Sequence, residues 1–261
     1  MTSDGHETID GAGNDVSQTY AAYATSHDEP RFTDWLRARS EPAWTDAVEH
    51  RFVRELGAGT LDTGAFEAYL VEDYAFVNEL VGAFGFAVGD APEMAAKRRL
   101  VEFLDILTDE ENDYFERSFE ALGVPENRWQ NSTPGDTTEA FVDLLGHAAR
   151  KGGYAETLTV LVPAEWIYES WATAVAATHG NPAADGSPSA GADLPFYYAE
   201  WVDLHAVDTF VEFVDWLRGE LDACGPDLST RRQARVERFF RRTVEYEVAF
   251  FDAAYTAIGG D

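Results

Sequence analysis

The chain has 261 residues, of which 45% are hydrophobic and 13% aromatic, and this apolar content excludes a wholly disordered acidic chain because it can fill a sizeable core. Acidic residues outnumber basic ones by 48 to 19 and give a formal net charge of −29, which excludes the positive footprint of a nucleic-acid-binding protein. A single cysteine, Cys224, excludes an internal disulfide and a zinc site built from several cysteines, and is typical of a reducing cytoplasm.

The charge pattern is unusual in its choice of basic residue, because Lys97 and Lys151 are the only lysines. Carboxylate excess with few lysines resembles proteins of salt-loving organisms, in which high ionic strength screens repulsion at the surface. No run of apolar residues approaches the roughly 18 that a membrane-spanning helix needs. We therefore predict a halophilic, cytoplasmic protein that binds neither membranes nor nucleic acids.

The first 28 residues are polar and lack the basic start and apolar middle of a signal peptide, so residues 1–28 are predicted to be a disordered tail. From there, apolar residues recur at helical spacing and predict one domain over residues 29–261. A Gly-, Pro-, Ala- and Ser-rich stretch at about 178–193 is predicted to be an exposed loop. Helices are predicted to begin at Phe32, at Pro42 (reaching Leu56), after a Thr63 cap, near Pro92, at a Thr108 and Glu111 capping box, at Thr137 or Thr138, after Gly152–Gly153, near Tyr197 and near Ser229.

No segment shows the alternation of a β-strand, and no internal repeat is present. The predicted fold is therefore all-α, a single-domain bundle of long, roughly antiparallel helices.

Three carboxylates fall inside the apolar stripes of three predicted helices. Asp73 shares a helical face with Tyr69 and Phe76, Glu165 lies among apolar and aromatic residues, and Glu247 lies in a row with Phe251. A lone buried carboxylate is costly, so each should have a partner or a ligand. One such residue is explained by a helix edge or a salt bridge, but three indicate a central site with aromatic walls.

Carboxylates among aromatics suit either metal chemistry or acid-base hydrolysis of a flat ligand. A di-metal bundle uses Glu-x-x-His pairs, and none of the six histidines follows a glutamate at that spacing. His205 and Asp208 are three residues apart, a spacing that a structural histidine also shows. We predict no metal and no cofactor, and interpret Cys224 as a packing or surface thiol.

Three runs of sequence carry a resemblance to a known family. They are GTLDTGAFEAYLVEDYAFV (Gly59 to Val77), GYAETLTVLVPAEWIYESW (Gly153 to Trp171) and YEVAFFDAAY (Tyr246 to Tyr255). They resemble the TenA-like (thiaminase II) proteins. The resemblance implies a haem-oxygenase-like helical fold without haem, a homotetramer, and hydrolysis of thiamin or its aminopyrimidine breakdown products.

The resemblance also implies roles for individual residues. Asp73 would hold the exocyclic amine of the pyrimidine, Glu247 would face a ring nitrogen, and Tyr168 would line the pocket. The nucleophilic cysteine of one branch is replaced by Ala164, so the chain resembles the cysteine-less branch, with Glu165 as its extra carboxylate. Phe76 and Phe141 fall where that cysteine branch has tyrosines, and Trp171 and His205 complete the predicted substrate-binding set.

The predicted function is hydrolysis of 4-amino-5-aminomethyl-2-methylpyrimidine or its N-formyl derivative in thiamin salvage. A water molecule would attack with Glu247 or Glu165 as base, because Ala164 cannot form a covalent intermediate. Two alternatives stay open at this point: a carboxylate-bound di-metal oxidase on the same fold, and a non-catalytic pyrimidine-binding or regulatory protein.

Overall fold

The computed structural model describes residues 18–130, 132–179 and 194–259. Within these ranges the chain is helical without strands, which confirms the predicted all-α class. The helices are α1 (Tyr20–Thr25), α2 (Phe32–Arg39), α3 (Ala43–Val48), α4 (Arg51–Gly57), α5 (Thr63–Asp90), α6 (Met94–Thr108), α7 (Glu110–Leu122), α8 (Glu126–Trp129), α9 (Asp136–Lys151), α10 (Tyr154–His179), α11 (Phe196–Ala206), α12 (Asp208–Cys224) and α13 (Thr230–Gly259).

Helix α10 is the centre of the bundle, with α5, α9, α11, α12 and α13 packed around it. Every residue of α10 from Ala155 to Tyr168 is buried, as expected for a helix that is apolar on all sides. The long helices α5 and α13 pack on α10 and on each other. The three carboxylates found in the sequence therefore lie on three mutually packed helices.

Two helices begin close to the predicted residues, but their predicted capping hydrogen bonds are wrong. Asp62, not Thr63, caps α5, because its Oδ1 accepts hydrogen bonds from the backbone N–H groups of Gly64 (2.9 Å) and Ala65 (3.2 Å). The Thr108 hydroxyl donates to the Leu104 carbonyl at 2.7 Å. It therefore makes no capping box with Glu111, whose side chain is buried instead.

The predicted helix from Pro42 to Leu56 is divided into α3 and α4. His50 separates them, because its Nδ1 accepts a hydrogen bond from the Phe52 N–H at 3.1 Å and caps α4. The apolar positions keep one helical spacing across the break, so the pattern alone does not reveal it.

The predicted tail is too long. Tyr20–Thr25 form α1, and the Tyr20 ring lies 5.1 Å from that of Phe32, while its hydroxyl donates to the Pro30 carbonyl at 2.8 Å. Two tyrosines in six residues anchor this helix but are too few to give a periodic signal. The rest of the predicted tail, residues 1–17, lies outside the described residues.

The first two residues of the predicted loop at 178–193 are helical, because α10 continues to His179, whose Nε2 lies 2.7 Å from the Gly57 carbonyl oxygen. Residues 180–193 lie outside the described residues. None of the helices in the described ranges combines the length and apolar character needed to cross a bilayer.

Candidate active site

A cavity opens between α5, the α6–α7 junction, α10 and α11. It contains about 340 Å³ of space between atoms, with open solvent at its mouth included. Its walls combine acidic, aromatic and aliphatic side chains: Asp73, Phe76, Val77, Leu80, Leu107, Glu111, Ala164, Glu165, Tyr168, Trp201 and His205.

The three predicted carboxylates are all buried, with exposed fractions of 3% for Asp73, 6% for Glu165 and 1% for Glu247. Each has an oxygen without a hydrogen-bond partner among the described residues, namely Asp73 Oδ2, Glu165 Oε1 and Glu247 Oε1. Buried polar atoms are nearly always hydrogen-bonded, so three unpartnered carboxylate oxygens in one place call for a ligand.

The charges of these carboxylates interact. Burial raises the pKa of Asp73 to about 7 against a stabilising hydrogen bond from Tyr69. Burial and the Asp73 charge raise the pKa of Glu165 to about 8. Burial, Asp73 and Glu165 together raise the pKa of Glu247 well above its usual range. At neutral pH the group can therefore hold protons and ionised oxygens side by side, which acid-base catalysis requires.

Glu247 differs from the other two in position. Asp73 and Glu165 line the cavity, whereas Glu247 is not part of its wall. The charges of Asp73 and Glu165 both raise its pKa, so Glu247 lies within electrostatic range of these two residues.

The predicted aromatic residues do not all reach the cavity. Phe76 and Tyr168 line it. Phe141 lies outside its wall and packs on Phe76 with 4.6 Å between ring centroids. Trp171 packs behind Tyr168 (5.6 Å) and His205 (6.2 Å) and lines a separate apolar groove on the other side of the helix. Trp171 therefore supports the wall from behind.

Two tyrosine hydroxyls and Asp73 form a chain of hydrogen bonds at the cavity. The hydroxyls of Tyr69 and Tyr168 are 2.7 Å apart, and Tyr69 also hydrogen-bonds to Asp73. Tyr168 is thereby linked to the carboxylate through Tyr69, a residue that the sequence analysis treated only as part of the apolar stripe.

His205 is neutral at pH 7, because burial lowers its pKa to about 4. Its Nδ1 lies 2.9 Å from the Trp201 carbonyl oxygen, and a carbonyl can only accept, so Nδ1 carries the proton. Nε2 is then the unprotonated nitrogen. His205 contributes a fixed neutral ring to the cavity wall.

Glu111 is the main residue that sequence reasoning missed. It lines the cavity and is 9% exposed, and burial followed by the charges of Glu165 and Asp73 raises its pKa well above the usual range. Its three-residue spacing from Thr108 fits a capping box, so the sequence analysis interpreted Glu111 as a helix-capping residue. A signal was nevertheless present, since Glu111 shares the buried face of α7 with Tyr114.

Ala164 lies in the cavity wall beside Glu165. Cys224 does not, since it is half-buried at the end of α12, where burial raises the pKa of its thiol to about 11. In the part of the chain that the structure describes, no three His, Cys, Asp or Glu side chains are arranged to hold a metal ion.

Known proteins similar to this chain cover most of its length. The sequence pattern of the TENA/THI-4/PQQC family matches residues 37–257. The aminopyrimidine aminohydrolase of Halalkalibacterium halodurans is 25% identical over 86% of this chain and 95% of that protein. That of Helicobacter pylori is 23% identical over 85% and 98%. A crystal structure titled as a TenA family transcription regulator, from a Silicibacter species, has a TM-score of 0.75 at 24% identity and covers 88% of this chain and 99% of that one.

Proposed function

Because the chain belongs to the TENA/THI-4/PQQC family, we propose that it is an aminopyrimidine hydrolase of thiamin salvage. Two relatives matched over nearly their whole length carry the name aminopyrimidine aminohydrolase. The observation that carries the proposal in this chain is that Asp73 and Glu165, each with a buried and unpartnered carboxylate oxygen, line a small cavity with aromatic walls.

Ring binding follows from the donors and acceptors that the site offers. A 4-aminopyrimidine presents N–H donors on its exocyclic amine and acceptor nitrogens in its ring. Ionised Asp73 accepts from the exocyclic amine, and protonated Glu247 donates to a ring nitrogen. Phe76 and Tyr168 enclose the flat faces of the ring.

The reacting carbon is the methylene group at position 5 of the ring. A proton from Glu247 on the ring nitrogen withdraws electrons and makes this carbon more electrophilic. Ala164 offers no nucleophile, so a water oxygen forms the new bond to carbon while the C–N bond of the protonated aminomethyl group breaks, its electrons go to nitrogen, and ammonia leaves. Glu165 accepts the proton of the attacking water. With the N-formyl derivative, water would attack the formyl carbon instead and formate would leave.

A direct test is to incubate the purified protein with 4-amino-5-aminomethyl-2-methylpyrimidine and measure ammonia and the 5-hydroxymethyl product. A parallel sample with the N-formyl derivative is assayed for formate. Product formation from either substrate supports the proposal. Tight binding measured by calorimetry, without product, would support the alternative that the loss of a cysteine at Ala164 suggests, a non-catalytic pyrimidine-binding or regulatory protein.

Tyr168→Phe is expected to lower kcat about tenfold, since it removes one hydrogen bond, worth about 1–1.5 kcal/mol, from the chain that reaches Asp73. The aromatic wall remains, so KM should change less than about threefold. Steady-state ammonia release gives both constants. Tyr154→Phe is the matched control, since its hydroxyl binds Glu220 at 2.9 Å and is not in the cavity wall. An unchanged kcat in Tyr168→Phe would contradict this role.

We also propose that the protein works in the cytoplasm of a high-salt cell as a homotetramer and binds neither nucleic acid nor membrane. The net charge of −29 and the single cysteine support the setting. Exposed Phe86, Met94, Val101 and Phe196 offer apolar surface for subunit contacts.

The free energy of unfolding is expected to rise by a few kcal/mol when KCl is raised from about 0.1 M to 2 M, because the screening length falls from about 10 Å to below 3 Å. Urea denaturation at the two salt concentrations measures the change without adding a charged denaturant. Equal or lower stability at high salt would count against adaptation to salt.

A further inference from the structure

Glu111 and Glu247 reach the other carboxylates from different helices. Glu111 is on α7 and lines the cavity, whereas Glu247 is on α13 and does not. Both helices pack on α5, which carries Asp73, and have little contact with each other. The charges of Asp73 and Glu165 raise the pKa of Glu111 and that of Glu247.

In the described part of the chain, no positive side chain lines the cavity beside these carboxylates. The described wall contains no lysine or arginine, and the histidine in it, His205, is neutral. Oxygens of Asp73 and Glu165 are buried there without hydrogen-bond partners among the described residues. The raised pKa values of Asp73, Glu165 and Glu111 reflect the cost of buried negative charge without a counter-charge. A ligand that brings a positive charge into the cavity favours the ionised carboxylates and should therefore bind better than a neutral ligand of the same shape.

Glu111 also lies beside the partition between this cavity and a larger outer one. Val77 and Leu107 line both cavities, and Leu107 is one helical turn before Glu111. Thr108 follows Leu107, Asn112 follows Glu111, and both line the outer cavity. The described walls of this outer cavity also lack lysine and arginine. The described surroundings of Glu111 on this side therefore hold no positive side chain that would repel a cationic ligand.

We propose that Glu111 binds the protonated aminomethyl group of the substrate and so makes the site select a cationic amine over neutral groups at the same ring position. This rests on the proposed function, in which Asp73 and Glu247 hold the ring and leave the far end of the cavity to the substituent. Hydrolysis then breaks the C–N bond with its electrons going to nitrogen. The ammonium leaves as ammonia, and the water proton passes to Glu165. The neutral N-formyl derivative is the weaker substrate.

The test compares ligands that share one ring. Glu111→Gln is expected to lower kcat/KM for the 5-aminomethyl compound about 30- to 100-fold, as loss of a buried ion pair does. Its Kd for the neutral 5-hydroxymethyl compound, measured by calorimetry, should change less than threefold. If the wild-type protein does not turn the amine over, the Kd of the amine is measured directly, so failure of the proposed function leaves this test intact.

Two further variants complete the design. Glu110→Gln, the exposed neighbour on α7, should leave both ligands unaffected. Glu111→Asp keeps the charge and should retain the preference for the amine, which also covers the case in which Glu111→Gln does not fold. The proposal would be overturned if Glu111→Gln weakened binding of the 5-aminomethyl and 5-hydroxymethyl compounds equally. It would also be overturned if kcat/KM and Kd for the 5-aminomethyl compound did not change.

Discussion

Glu247→Gln is expected to lower kcat for ammonia release about 100- to 10,000-fold, the range that general acid-base groups contribute. The substitution keeps the size of a side chain that is 1% exposed. It removes the carboxylic acid proton, whose retention at neutral pH follows from burial and from the charges of Asp73 and Glu165. A glutamine amide still hydrogen-bonds to a ring nitrogen but cannot transfer a proton to it, so KM should change far less than kcat.

Glu245→Gln provides the matched control on the same helix. Its side chain is 53% exposed and pairs with Arg241 at 3.8 Å, away from the cavity. Exposed pairs of this kind contribute little, so kcat, KM and the melting temperature should match those of the wild type. Retention of full activity in a folded Glu247→Gln protein would remove Glu247 from the mechanism.

The sequence predicted the helical class and, for one physical reason, three of the four buried carboxylates in the described residues whose pKa values are raised. On an amphipathic helix such as α13, one stripe is apolar, and an acidic residue inside it has to be buried. Glu247 is conspicuous on that basis, and the same rule applies to Asp73. Glu111 escaped because its three-residue spacing from Thr108 also fits a capping box, and only the structure shows the Thr108 hydroxyl bound to Leu104 instead.

The aromatic wall was harder to predict. Helix α10 is apolar all round, so its sequence does not show which residues face the cavity and which face the opposite side. Tyr168 and Trp171 are three residues apart and are equivalent in the sequence pattern, yet of the two only Tyr168 lines the cavity. The hydroxyl contact between Tyr69 and Tyr168 joins residues 99 positions apart and has no signal within either segment.

Glu165→Gln is expected to inactivate the protein and to stabilise it at alkaline pH. The folded-state pKa of Glu165 is about 8 against an ordinary value of 4.5, chiefly because of burial. A carboxyl whose pKa is raised by folding favours the folded state fully below its unfolded pKa, and this contribution is lost as the pH rises through the folded pKa. Between about pH 4.5 and 8 the wild type should therefore lose about 3–5 kcal/mol through this residue, since one pKa unit corresponds to about 1.4 kcal/mol.

The glutamine side chain of the variant does not titrate. The free energy of unfolding of Glu165→Gln should therefore match that of the wild type at pH 4.5 and exceed it by about 3–5 kcal/mol at pH 9. Urea unfolding of both proteins at these two pH values, in 2 M KCl to screen the surface charge, measures the difference. Glu245→Gln serves again as the control, because its side chain is 53% exposed and is not part of the cavity wall. If Glu165→Gln is less stable than the wild type at pH 9, the carboxylate has a stabilising partner in the folded protein and is not the poised base that the mechanism needs. A stabilised, folded and inactive variant would instead indicate that the buried charge is kept at the expense of stability because catalysis uses it.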